Sequence, residues 1–118
     1  MKMIVYGIPN CDTVKRARTW LTEHGQAFDF HDFKKAGVPP AEASSWLAEF
    51  GWEKVVNRSG TTWRKLDDAA RAGVVDSPSA AALMQAQPSV IKRPIVRWVD
   101  GSLTLGFSAD AFSEKLQA

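Results

Sequence analysis

A single cysteine in 118 residues leaves no partner for an internal disulfide and no thiol cluster for a metal. The two histidines, His24 and His31, stand without a third ligand at metal spacing and read as surface residues. No apolar run reaches 18 residues and no charged-then-apolar leader is visible, so membrane and export readings are set aside. Charge of one sign is also scarce: 15 Lys and Arg face 13 Asp and Glu, a net charge of +2 that is too small to argue for nucleic acid. Five tryptophans are present, but they do not alternate with basic residues, which favours packing over base stacking. Internal repeats and low-complexity segments are missing too. A lone thiol fits a reducing compartment, and the expected location is the cytoplasm.

What is there is an ordinary globular composition, 45% hydrophobic and 24% charged, on a length suited to one domain. One stretch stands out. Met3-Ile4-Val5-Tyr6 is an apolar run that reads as a buried strand, and Gly7, Pro9 and Asn10 break it. A helical pattern then begins, with Cys11 at the junction. Free amides and the positive dipole end of a helix N-terminus favour an anion, and a thiolate is one. Lys15, Arg16 and Arg18 add to that effect within two turns. The position predicts a thiol more acidic than the free value of about 8.5.

From Thr13 to His24, Val14, Ala17, Trp20 and Leu21 form an apolar stripe at helical spacing, with Gly25 placed to end it. Phe28 and Phe30 alternate with polar neighbours over 27–33, the period of a strand. Strand, helix and strand in this order imply a right-handed parallel βαβ unit. A turn over Lys34–Pro40 leads to three expected helices. These are Ala41–Phe50, then Thr62–Ala72 burying Trp63, Leu66 and Ala70, then a third to Ala86 with Ser77 as N-cap and Pro78 first. The loop Asn57–Thr62 is polar and suited to displaying side chains. Two strands, 95–99 and 102–105, flank Asp100-Gly101, a strong hairpin signal. Ser108 then caps a last helix carrying Ala109, Phe112 and Leu116 on one side. The expected fold class is α/β: a thioredoxin-like four-stranded mixed sheet (βαβ–ββα) in one domain, 1–118. Its core is about 1–36 and 89–118, with a helical subdomain inserted after the second strand at about 37–88. Cys11 would then sit at the C-terminal end of a parallel strand, where open α/β sheets place their sites.

Four segments carry a family resemblance: Tyr6–Thr13, Gly60–Leu66, Ile91–Ile95 and Leu105–Ser108. Together they span nearly the whole chain, and the chain resembles the arsenate reductase/Spx-like family, particularly its YffB-type thiol reductases. The resemblance implies that Cys11 is the nucleophile. It implies that Arg93 is the arginine facing the thiol, ahead of Pro94 at the family's cis-proline position. A further anion-binding arginine of the family falls at Arg58 or, in a shifted register, at Asn57. Two departures are plain. The glutathione-linked arsenate reductases carry a histidine where this chain has Gly7, and a third anion-binding arginine where it has Phe107. An oxyanion loses a charge-assisted donor when an arginine becomes a phenyl ring, which argues against arsenate as substrate. Spx-type regulators often carry Cys-x-x-Cys, but position 14 is Val, so no resolving thiol is nearby.

The expected function is therefore a glutathione-dependent thiol oxidoreductase with no tightly bound cofactor, glutathione serving as co-substrate beside a small thiol or oxyanion. Lys15 is a candidate to hold the thiolate or a glutathione carboxylate, against the simpler reading of an exposed lysine. Asn10 and Thr13 are oxyanion donors or helix caps, capping being the default. The alternatives are a regulator that binds RNA polymerase, as Spx-like proteins do, and arsenate reduction itself.

Overall fold

The computed structural model describes residues 2–117. In chain order come β1 (Ile4–Gly7), α1 (Asp12–Glu23), β2 (Asp29–Asp32) and the single turn α2 (Phe33–Ala36). Next are α3 (Pro40–Phe50), α4 (Trp52–Val55), α5 (Thr61–Lys65), α6 (Asp68–Ala72) and α7 (Ser77–Ala86), then a 3₁₀ turn at Pro88–Val90. β3 (Ile95–Arg97), β4 (Leu103–Leu105) and α8 (Ala109–Gln117) come last. The chain divides into two compact units: residues up to Phe33 with those from Arg93 onward, and Lys34–Lys92. The helical insert expected at about 37–88 lies within the second of these units.

The first unit is a four-stranded mixed sheet in the order β2-β1-β3-β4. β1 runs parallel to β2 and antiparallel to β3, and β3 is antiparallel to β4. This is the thioredoxin-like arrangement expected from the βαβ and ββα halves. Alternation along the strands sends Met3, Val5, Val96 and Trp98 to one face, where Ala17 and Leu21 of α1 and Phe112 of α8 meet them. Leu21 and Phe112 are fully buried, and each side chain withdrawn from water in this way contributes about 1.5–3 kcal/mol. Phe112 is the hub. Its ring meets Trp98, Trp20 and Phe107 edge-on, with centroids 5.0, 5.5 and 4.9 Å away.

Turn chemistry fixes the connections. Gly25 has φ 70°, and its amide donates to the Thr22 carbonyl while that of Gln26 donates to Leu21, the paired bonds of a Schellman motif. The β3–β4 hairpin closes as a three-residue loop with Gly101 at φ 87°. There the Gly101 and Trp98 amides donate to the carbonyls of Trp98 and Ser102. Three strand lengths differ from expectation. β2 covers only Asp29–Asp32, because Phe33 turns inward as the buried start of α2. β3 ends at Arg97 and β4 begins at Leu103, each one residue short of the Trp98–Ser102 pair that closes the loop.

In the second unit Trp46, Leu47, Val55, Val56, Ala80, Met84, Val90 and Ile91 are buried, and Val56 bridges Ile91 in an antiparallel pair. Three expectations are corrected here. Lys34 and Lys35 lie in the helical turn α2 rather than in an irregular turn. The helix expected over 62–72 is broken into α5 and α6. Leu66 is extended at φ −68°, ψ 149°, and Asp67 starts a new helix by accepting the Ala70 amide at 2.7 Å. Trp63 and Leu66 are half-buried and Ala70 is exposed, so that stripe is not a core face. Finally, Asp76 and not Ser77 caps α7, with Ser79 completing a capping box, so Pro78 is the second helical residue.

Candidate functional site

β1 delivers the chain to an exposed bend at Pro9 and Asn10. Cys11 follows as the N-cap of α1 with extended backbone, φ −144° and ψ 122°. A residue in that position aims its side chain at the free amides of the second and third helical residues, here Thr13 and Val14. Ordinarily a hydroxyl or carboxylate oxygen fills the place. Here sulfur does. The thiol makes no formed cap hydrogen bond; a thiolate is the stronger acceptor, and it is this form that the amides favour.

Arg93, immediately ahead of β3, supplies the side-chain partner of the sulfur. The peptide bond from Arg93 to Pro94 is cis. Burial is the largest single influence on Cys11 and acts to raise its pKa. The Val14 amide, the hydrogen bond and charge of Arg93, and the Thr13 amide together outweigh it, so the thiol is held below its ordinary value. The sulfur-bearing residue remains partly accessible. An acidic thiol with an open side is chemically a nucleophile and a leaving group in thiol–disulfide exchange.

The remaining candidates fare differently. Thr13 contributes its amide rather than its hydroxyl, and Asn10 is exposed in the bend before the cap. Neither side chain caps α1, because Cys11 itself holds that position. Lys15 is not among the groups that draw the thiol down; its side chain lines an open groove along α1. Arg58 and Asn57 belong to the second unit. There the Arg58 guanidinium pairs with Glu53 at 3.3 Å and lies over Trp52, 5.4 Å from the ring centroid. Asn57 folds its own loop, its Oδ1 accepting the Ser59 amide at 3.2 Å. His31, read from sequence as a surface residue, is half-buried between aromatic rings, 5.2 Å from Tyr6 and 5.9 Å from Phe33. His24 is exposed and stacks on Trp20 at 3.7 Å.

Val14 is a contributor that the sequence pattern does not mark. Its side chain reads as core and as the place of a missing second thiol, whereas its backbone amide is the leading group that favours the thiolate. The signal is conditional: once Cys11 is known to hold the N-cap, the third helical amide is one that its side chain meets. The structure also gives a reason for Gly7. A Cβ there would lie 2.9 Å from Val14 Cγ2 and 3.8 Å from the Phe30 ring, so no side chain fits without moving the residue whose amide serves the sulfur. Phe107, at the place of an expected family arginine, is packed against Phe112.

Comparison with known proteins agrees in fold and extent. A solved structure, the protein YFFB, matches with a TM-score of 0.90 at 49% identity, covering 96% of this chain and 97% of that one. An uncharacterised protein of Haemophilus influenzae is 38% identical over 104 residues, 88% of this chain and 90% of the relative. A global transcriptional regulator Spx of Streptococcus agalactiae is 28% identical over 105 residues, 86% of this chain and 74% of the regulator. The model of the ArsC family matches residues 6–115. With that match running across both units, the chain belongs to the ArsC family.

Proposed function

We propose that this ArsC-family chain is a thiol oxidoreductase in which Cys11 is the nucleophile and glutathione the co-substrate. One observation carries the reading: a partly accessible sulfur at a helix N-cap, with the Arg93 side chain and the Val14 and Thr13 amides favouring its charged form. The Cys11 thiolate attacks one sulfur of a disulfide between a substrate and glutathione. The S–S bond breaks, the substrate leaves as a thiolate and takes a proton from water, and glutathione stays joined to Cys11. A second glutathione thiolate attacks the sulfur of that adduct, releasing glutathione disulfide and restoring the Cys11 thiolate. The mixed disulfide and one glutathione thiol thus give the substrate thiol and glutathione disulfide: the substrate sulfur is reduced, and the sulfur of the incoming glutathione is oxidised by the same amount. An external thiol is required because the chain has only one cysteine.

Mass spectrometry after incubation with glutathione disulfide tests this. One glutathionyl group per chain, removed by reduced glutathione and absent from Cys11→Ser, is the expected result. No adduct, or one that reduced glutathione leaves in place, overturns the proposal. Arsenate is disfavoured as a substrate, since Gly7 has no room for a side chain and Phe107 is committed to Phe112.

The similarity to a transcriptional regulator supports a second reading, in which the chain binds RNA polymerase without catalysis. Cys11→Ser separates the two. Equal recovery of polymerase subunits by wild type and variant, with no thiol turnover by either, favours the regulator.

A further inference from the structure

Along α1 runs an open groove of about 480 Å³, lined by Lys15, Arg18, Thr19, Thr22 and Glu23 of the helix and by Phe28 ahead of β2. Helix geometry ties this groove to the thiol. At about 100° per residue, positions 11, 15, 18 and 22 fall within an arc of roughly 60°, so Cys11 heads the stripe that the groove follows. Lys15 and Arg18 lie about 6 and 10 Å along the axis from Cys11, and helical side chains lean toward the N-terminus, back toward the sulfur.

Neither cation is in an ion pair among the described residues. The central carbon of the Arg18 guanidinium sits over the Phe30 ring, 4.0 Å from its centroid. That contact positions the charge, and a ring face accepts no classical hydrogen bond in place of an anion. Thr19 adds a hydroxyl beside them. Glu23 is the one acidic residue in the lining, at the end of the helix away from Cys11. The attraction for an anion is thus concentrated at the end near the thiol. An extended peptide advances about 3.3–3.6 Å per residue, so the residue flanking the reacting cysteine carries its carboxylate along the helix toward Lys15 and Arg18, whose side chains lean back to meet it.

We infer that Lys15 and Arg18 form a carboxylate subsite that receives the acidic end of the peptidic thiol exchanging with Cys11. This deepens the thiol-exchange reading and rests on it. The test compares rates of Cys11 mixed-disulfide formation with two probes. Glutathione disulfide carries carboxylates, and the disulfide of mercaptoethanol is neutral. The readout is the ratio of the two rates, because the neutral probe reports the thiolate alone. Arg18→Glu should lower that ratio about three- to tenfold, the scale of a partly exposed ion pair lost and reversed, and Arg18→Lys should largely retain it. Raising salt should lower the ratio in wild type and hardly at all in Arg18→Glu. Lys15→Glu, at an exposed position, makes the same test if Arg18→Glu does not fold. A ratio unmoved by both charge reversals overturns the subsite and leaves the thiol chemistry standing. A wild type that reacts with neither probe overturns the thiol chemistry itself.

Discussion

Cys11 takes the place usually filled by Ser, Thr, Asn or Asp, and in doing so turns a capping position into a reactive one. The same amides that would satisfy a hydroxyl oxygen favour a negative sulfur, and Arg93 adds a full positive charge. Removing that charge in Arg93→Met should raise the thiol pKa, seen as an upward shift in the midpoint of thiolate ultraviolet absorbance against pH. The sign for stability follows from the depressed folded-state pKa. The contribution is complete above the unfolded thiol value of about 8.5 and is lost as pH falls through the lower folded value. Urea denaturation of wild type and Cys11→Ser across that window should show stability rising with pH in wild type relative to the variant. Gly7→Ala tests the neighbouring contact. Its Cβ must displace Val14, which should cost about 1–3 kcal/mol by overpacking, and should raise the Cys11 pKa by moving the amide. An alanine variant with unchanged stability and unchanged thiol titration would show that the contact is slack. At this scale the sequence revealed the cysteine's position, because Pro9 and Asn10 break the strand just before a helical stripe. It could not reveal that Asn10 leaves the cap to Cys11, since capping depends on φ and ψ and not on residue preference alone.

Elements form where local signals and burial agree, and differ from expectation where only one of them speaks. α1 has both, with a buried stripe of Val14, Ala17 and Leu21 and a Schellman end at Gly25. α8 likewise begins at Ser108, whose hydroxyl accepts the Ala111 amide at 3.0 Å, and carries Phe112 into the core. Ser108→Ala should cost about 1 kcal/mol by loss of that cap, measurable as a lower urea midpoint with unchanged slope. The stretch 62–72 shows the opposite case. Its apolar residues repeat at helical spacing, yet Asp67 offers a strong N-cap in the middle, and without a deeply buried face to hold one long helix the chain restarts there. Periodicity announces a helix; it does not say whether a cap inside it will be used.

Across the whole molecule each unit has its own large apolar anchor, Phe112 in the first and Trp46 in the second, at 0% and 1% exposure. Truncating either to alanine should cost about 3–5 kcal/mol, the range for a buried aromatic, and calorimetry or urea denaturation reads it directly. A loss below 1 kcal/mol for Phe112→Ala would deny its place as the meeting point of Trp98, Trp20 and Phe107. By itself the sequence determined the order βαβ, helical insert, ββα, the two glycine-dependent turns at Gly25 and Gly101, and the seat of the one thiol at a strand-to-helix junction. These are local properties, set by side-chain period and by the few residues that tolerate positive φ. Only tertiary structure decided that Arg93, 82 positions further along, meets that thiol, that Gly7 has no room for a side chain, and that Phe107 packs into the core. Those outcomes depend on strand pairing between distant segments, which brings β1 and β3 side by side, and no local pattern in the chain encodes the distance between two residues so far apart.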